Sequence, residues 1–394
     1  MIKKFWGRHF GILDDFSVDL EPLTLLVGPN ASGKSTFLRG LRLTAMLVRM
    51  PLYGARGPLI LGYRASIEDL VPREDSRRPV TLGVQSESQY GHGLYEISLD
   101  YVGEKVRVVD ERAQWTGASG RSFQFDRTTP PLRFDYRGAE VTSNLPRAAS
   151  LPFLCLPYRS DPQWVDKLDL LYELTSSFSP FHVFRFSPAE IGRPVEAGST
   201  VNYEGQGLAA ELDRLLGEER DKFDSLVRQL REVFPHIKGV KVLTRPGQPS
   251  HREGSSGRAA LKSIVLERAD GTEIPAELES DGVLLTMAHL WLASQSRTRV
   301  AFGIEEPETA SYPSLLESRL RLLRSVSEGS GGVPPVQVIA TTHSASLLTA
   351  AQDPALVRIF ESRDDGFSRI YAPPEDRMFE VLERRLAWTT GTER

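Results

Sequence analysis

Apolar and polar positions change texture several times along the chain. Leu23-Thr-Leu-Leu-Val27 is a short apolar run ending at Gly28, the pattern of a buried parallel strand. From Lys34 to Met50, residues Phe37, Leu38, Leu41, Met46 and Leu47 recur at helical spacing, so a helix follows the glycine-containing loop. Between about Pro79 and Val141 the pattern becomes alternating and is broken by Gly and Pro, which predicts antiparallel hairpins in an arm or side sheet. Asp161–Phe178 and Gly207–Phe234 read as helices. The second carries Glu/Asp–Arg pairs three or four residues apart that suit an exposed face. Strands are expected at 239–244 and 261–267, with a flexible loop over 245–258. Thereafter α/β texture returns: a helix over Val283–Ser296, a buried strand over Arg299–Ile304, a helix over Pro313–Ser325, and buried strands over Val336–Ala340 and Leu356–Phe360.

Composition narrows the function classes. A formal charge of −4 over 394 residues rules out a bulk polycation, so any nucleic-acid contact would be a local patch. The single cysteine, Cys155, allows neither an internal disulfide nor a cysteine-based zinc site, and suits a reducing cytoplasm. The N-terminal lysines are not followed by an apolar signal-peptide core, and no run approaches the length needed to span a bilayer. The expectation is a cytoplasmic protein with no membrane segment.

One stretch carries chemistry at fixed spacing. Gly28-Pro-Asn-Ala-Ser-Gly-Lys-Ser-Thr36 matches G-x-x-x-x-G-K-[ST]. Its glycines allow the backbone of Asn30, Ala31, Ser32 and Gly33 to turn N–H groups toward phosphate oxygens. The following helix, entered through Lys34, Ser35 and Thr36, adds the positive end of its dipole. Lys34 supplies a point charge for the β and γ phosphates, and the Ser35 hydroxyl a ligand for Mg²⁺. A glycine turn capping an ordinary helix is the plainer reading, but the preceding strand and following helix favour a nucleotide site.

That loop gives meaning to Glu305, Glu306 and Glu308, which crowd around Pro307 at the end of the apolar run 300–304. Alone, the stretch reads as an edge strand ending in solvated acids; buried beside a phosphate loop, like charges so close need a compensating cation. In a phosphate-loop protein, a second buried strand beside the first carries an acidic end that reaches the metal. On this reading Glu305 holds Mg²⁺, through water, and Glu306 polarises the attacking water as general base. His343, in Thr341-Thr-His-Ser344 at the end of a third apolar strand, is by itself more often a structural histidine, but its place downstream of the acidic strand suits a γ-phosphate sensor.

Taken in order, "GPNASGKST", "GIEEPE" and "TTHS" resemble the Walker A, Walker B and switch-histidine motifs of ABC-type ATPases. More narrowly they resemble the stand-alone AAA ATPases of the RecF/SMC/Rad50-like branch, which includes the ATPase half of OLD-family nucleases. Ser280-Asp281-Gly282, preceding an apolar helix, is similar to that branch's signature loop. Ser280 and Asp281 are also good helix N-caps, which is the plainer reading of the same residues.

The resemblance implies an α/β P-loop NTPase fold, an ABC-type ATPase head with a β-rich arm and an inserted helical lobe. The implied divisions are residues 1–78 (first ATPase half), 79–150 (arm), 151–235 (lobe) and 236–394 (second ATPase half). It further implies ATP and Mg²⁺ as ligands, and ATP hydrolysis in a homodimer that sandwiches the nucleotide. Ser280, Asp281 and Gly282 would then complete the site of the other subunit. Two departures stand out: Glu305 occupies the usual aspartate slot, and Glu308-Thr-Ala-Ser-Tyr-Pro313 replaces the acidic Leu-His-Pro loop of many relatives.

Several outputs compete. The chain lacks a zinc-hook Cys-x-x-Cys and long heptads, against a Rad50 or SMC protein, and the stretch after His343 is short for a fused nuclease. The preferred reading is an ATP-driven switch for a separately encoded effector, a nuclease or toxin, as in anti-phage defence. The alternative is a RecF-like repair ATPase that clamps DNA in its ATP-bound dimer. The distance from Thr36 to Ser280 and the absence of S-G-G-Q disfavour a transporter subunit. Intact Lys34 and Glu306 disfavour a non-hydrolysing scaffold. A small-molecule kinase would leave the signature and the histidine unexplained.

Overall fold

The computed structural model describes residues 1–49, 78–102, 105–127, 132–136, 139–143, 150, 152, 165–249, 258–295, 300–309, 313–329, 334–344, 347 and 353–373. The chain opens with an antiparallel pair, β1 (Ile2–Phe10) and β2 (Leu13–Asp19), followed by β3 (Leu23–Val27) and helix α1 (Lys34–Leu47). Next come β4 (Val80–Ser88), β5 (Gly91–Val102), β6 (Lys105–Gly117), β7 (Ser122–Asp126), β8 (Leu132–Tyr136) and β9 (Ala139–Ser143). A helical stretch then begins with α2 (Val165–Ser176), β10 (Phe181–Phe184), the short α3 (Pro188–Ile191) and β11 (Val195–Glu196). It continues with α4 (Leu208–Glu218) and α5 (Arg220–Val233). The remaining elements are β12 (Ile237–Pro249), β13 (Arg258–Arg268), β14 (Glu273–Pro275), α6 (Asp281–Ser294) and β15 (Ala301–Glu305). They end with α7 (Pro313–Glu328), β16 (Gln337–Thr342), β17 (Val357–Ser362) and β18 (Ser368–Tyr371).

Three sheets result. The alternating strands after residue 79 do form hairpins, and they continue the N-terminal pair into one eight-stranded antiparallel sheet, β2-β1-β4-β5-β6-β7-β8-β9. Strands β11, β13, β12 and β14 form a small antiparallel sheet, in which β12 and β13 run well into the segment expected to be a loop. Residues 250–257 of that loop lie outside the described residues. The central sheet has the order β10-β15-β16-β3-β17-β18, parallel except for β18.

The acidic strand β15 is therefore not beside β3, as the sequence suggested. Strand β16 lies between them, pairing Ala340 with both Leu25 and Ile304. All six residues of β16 are buried, the pattern of a central strand covered on both faces.

The side-chain alternation of these strands gives the central sheet two distinct faces. Leu26, Phe181, Val183, Ala301, Ile339 and Phe360 join α1 and the eight-stranded sheet in one core. Leu25, Val27, Phe302, Ile304, Val338 and Ile359 join α4, α5, α6 and α7 in another. Gly303 on β15 lets α1 approach: a Cβ there would meet Leu38, Val183 and Phe181 at 3.1–3.3 Å.

The helix expected over 207–234 breaks at Glu219, whose backbone (φ −136, ψ 55) is not helical. Its carboxylate holds both sides of the break, taking Arg214 at 2.8 Å and pairing with Lys222. Among the described residues, no helix is long and apolar enough to cross a membrane.

Candidate nucleotide site

The loop between β3 and α1 is built around two glycines. Gly33 caps α1 with φ 93, a left-handed conformation that glycine adopts without penalty. Gly28 passes so close to β17 that a Cβ would lie 2.3 Å from the Phe360 carbonyl oxygen. Ala31, at the exposed tip beside Asn30, also has positive φ (60). Ser32 is fully buried, and its hydroxyl has no hydrogen-bond partner among the described residues. Lys34 folds back over the loop, donating to the carbonyls of Gly28 and Pro29 at 2.7 Å each. Burial pulls its ammonium below the ordinary lysine value, and the charges of Glu306, Glu308 and Glu305 oppose that pull. The compensating charge for the three carboxylates therefore includes Lys34 itself.

Ser35 and Glu305 meet across the sheet although β16 separates their strands. The Ser35 hydroxyl donates to Glu305 Oε2 at 2.8 Å, and Glu305 is 4% exposed. Adjacent oxygen ligands of an octahedral Mg²⁺ lie about 2.9 Å apart, given metal–oxygen bonds of about 2.05 Å. The pair is thus spaced as two neighbouring ligands of that ion. With an orphaned buried hydroxyl on Ser32, a lysine on the loop and the first N–H groups of α1, it forms a cradle that fits a magnesium–nucleotide. Thr36 is half-buried on the first turn of α1, and a Cβ on Gly11 would pack against it at 3.3 Å.

Glu306 leaves the strand with φ 49, unusual for a residue with a side chain. Its N–H bonds to the Thr341 carbonyl at 3.1 Å, and its carboxylate accepts from Arg185 Nη2 at 2.8 Å. Glu308 turns the other way. Its Oε1 accepts from the Thr342 hydroxyl (2.7 Å) and from the His343 N–H (3.0 Å), and lies 3.5 Å from His343 Nδ1. Beneath them Arg319 of α7, almost fully buried, donates to the carbonyl oxygens of Pro307 and Thr309. Burial lowers its guanidinium to about 10, with Glu308 opposing.

Lys34, Ser35, Glu305, Glu306 and His343 thus all lie at or beyond the carboxyl ends of the neighbouring parallel strands β3, β15 and β16. Ser280, Asp281 and Gly282 do not. Ser280 is the N-cap of α6, without a side-chain capping bond, and its N–H donates to Glu279 at 2.8 Å. Ser280 and Asp281 are exposed, and α6 packs on α3, α5 and α7, on the sheet face opposite α1. Among the described residues, no hydrogen bond or ion pair ties these three to the phosphate loop.

Sequence reasoning missed Arg185, Arg319 and the tethering role of Glu308. Arg185 follows the edge strand β10, and no local spacing links it to Glu306, 121 residues away. The signal available for Glu308 is its place two residues beyond Glu306.

Residues 176–349 match a family model described as an AAA domain, putative AbiEii toxin, type IV TA system. A stretch of 98 residues, 25% of this chain, is 30% identical to an OLD nuclease of Thermus scotoductus and spans 17% of that protein's length. Among solved structures, an SMC head bound to the C-winged helix domain of ScpA aligns over 95% of this chain and 99% of its own. That alignment has a TM-score of 0.51 at 14% identity. The SMC head domain from Thermotoga maritima aligns over the same shares with a TM-score of 0.44 and 14% identity. The chain has the fold of SMC heads, and its residues 176–349 are similar to the AAA-domain family.

Proposed function

We propose that this chain binds ATP with Mg²⁺, hydrolyses it in a site completed by a second copy, and thereby switches a separately encoded effector. The observation that carries the reading is the 2.8 Å contact of Ser35 with Glu305, which joins the phosphate loop to the acidic strand across an intervening strand. Ser35 and Glu305 would hold Mg²⁺, which when bound neutralises phosphate charge. Lys34 leaves its two carbonyls for the β and γ phosphates, and the N–H groups from Asn30 to Thr36 orient them. Glu306, a quarter exposed, accepts the proton of the attacking water. His343, anchored through its N–H to Glu308, faces the γ-phosphate with its half-exposed ring.

Helix α6, which Ser280 caps, packs on the sheet face opposite α1, and among the described residues no hydrogen bond ties Ser280, Asp281 or Gly282 to the phosphate loop, which supports a split site closed by a partner's copies of these three residues. ATP then acts as the bond between two heads, and hydrolysis releases it. The likeness to a family described by a toxin and to an OLD nuclease supports a toxin or nuclease effector in anti-phage defence.

Glu306→Gln tests the chemical core. ATP binding should persist while turnover falls by roughly 10²–10⁴-fold, the usual share of a positioned general base. Wild-type turnover in that variant would overturn the assignment.

A further inference from the structure

Among ion pairs near the proposed site, one joins the proposed base to a residue outside the Walker A, Walker B and histidine motifs. Arg185 Nη2 donates to Glu306 Oε2 at 2.8 Å. An exposed pair of this kind usually contributes little to stability, and the Arg185 side chain is 53% exposed. The local structure nevertheless fixes both ends. Phe184 pairs with Ile304 in parallel register, so Arg185 leaves β10 directly beside Glu305. The Arg185 N–H bonds to the Tyr203 carbonyl at 2.8 Å, and the next residue, Phe186, is buried. Opposite it, the left-handed backbone of Glu306 is pinned to Thr341 by its own N–H. Only one carboxylate oxygen is engaged: among the described residues Oε1 makes no hydrogen bond and is free for a water.

We propose that Arg185 is a positioning residue for the hydrolytic reaction, holding Glu306 by one oxygen so that the other meets the attacking water. This rests on the reading of Glu306 as general base. A flexible carboxylate would sample many orientations, whereas one anchored to a guanidinium from a neighbouring strand keeps a single aim. Burial opposes the charge of Arg185, and Glu306, Tyr203 and Glu305 more than offset it, so the anchor stays protonated.

The experiment is a double-mutant cycle between Arg185→Met and Glu306→Gln, with Arg185→Lys alongside. Three readouts are needed: steady-state kcat and KM for ATP, equilibrium binding of a fluorescent ATP analogue, and the melting temperature. Arg185→Met should lower kcat roughly 10–100-fold, the scale of a misplaced reacting group. Analogue binding should stay within about twofold, and the exposed pair should leave the melting temperature nearly unchanged. Arg185→Lys keeps the charge without the fork and should recover part of the loss. In the Glu306→Gln background, Arg185→Met should change the residual rate by less than about twofold, because the group it positions is gone.

Three outcomes overturn the proposal. Unchanged kcat in Arg185→Met, with Glu306→Gln inactive, removes the positioning role and leaves the base intact. Losses that multiply in the double variant, or a parallel loss of analogue binding, mean that Arg185 acts on the nucleotide instead. Full turnover in Glu306→Gln removes the base and this inference with it.

Discussion

A single methyl group at Gly28 would lie 2.3 Å from the Phe360 carbonyl oxygen and 2.9 Å from Ser32 Oγ. The closer neighbour is backbone, and Ser32 Oγ is a buried side-chain end. The Phe360 carbonyl belongs to β17, paired with β3 through Ile359 and Val27, and Ser32 is buried in the loop itself. Gly28→Ala must therefore push the loop outward and move the carbonyl that holds Lys34. We expect a destabilisation of roughly 1–3 kcal/mol, typical of overpacking, and loss of ATP binding. Nucleotide titration and thermal melts check it, and retained affinity would mean that the loop tolerates the shift. The loop was legible in the sequence because its residues are contiguous and their chemistry depends on spacing. Arg185 and Arg319 were not legible, because each acts on residues brought near only by the fold.

Helix α6 shows the same divide one level up. Its apolar character from Val283 to Leu292 was plain, and every residue in that span is buried. The cost of His289 within it was not visible. Its Nδ1 contacts the Leu285 carbonyl at 2.6 Å, and its ring meets Phe186 edge-on at 5.3 Å. Burial, with the nearby charge of Arg319, lowers its pKa from 6.5 to about 3. Between those values the unfolded chain binds a proton that the folded chain refuses, so stability falls as pH drops below about 6.5. One such group gives a slope of about 1.4 kcal/mol per pH unit. His289→Leu should flatten the decline between neutral and mildly acid pH by that amount, measured by urea unfolding at pH 5 and 7.5. An unchanged slope would mean that the ring is protonated in the folded chain. Strand order escaped the sequence for a related reason. The runs at 301–305 and 337–342 are both wholly buried, and burial alone does not say which lies beside β3.

At the scale of the whole molecule, the two helices that the proposed chemistry needs together pack on opposite faces of the central sheet. The phosphate-loop helix α1 packs on one face, and α6, with Ser280 at its start, packs on the other. A second copy is the simplest source of a signature loop over the nucleotide. Glu306→Gln, slow to discharge ATP, should therefore double its mass by light scattering when MgATP is added, and EDTA should reverse the change. Ser280→Arg in the same background would put a bulky side chain where the proposed contact forms, at an exposed position that tolerates it in the monomer. It should keep nucleotide binding and lose the doubling. A constant dimer in both variants would mean that nucleotide reshapes an assembly already formed through another surface. A monomer throughout, with ATP bound, would reduce Ser280 to a helix cap and return each site to a single chain.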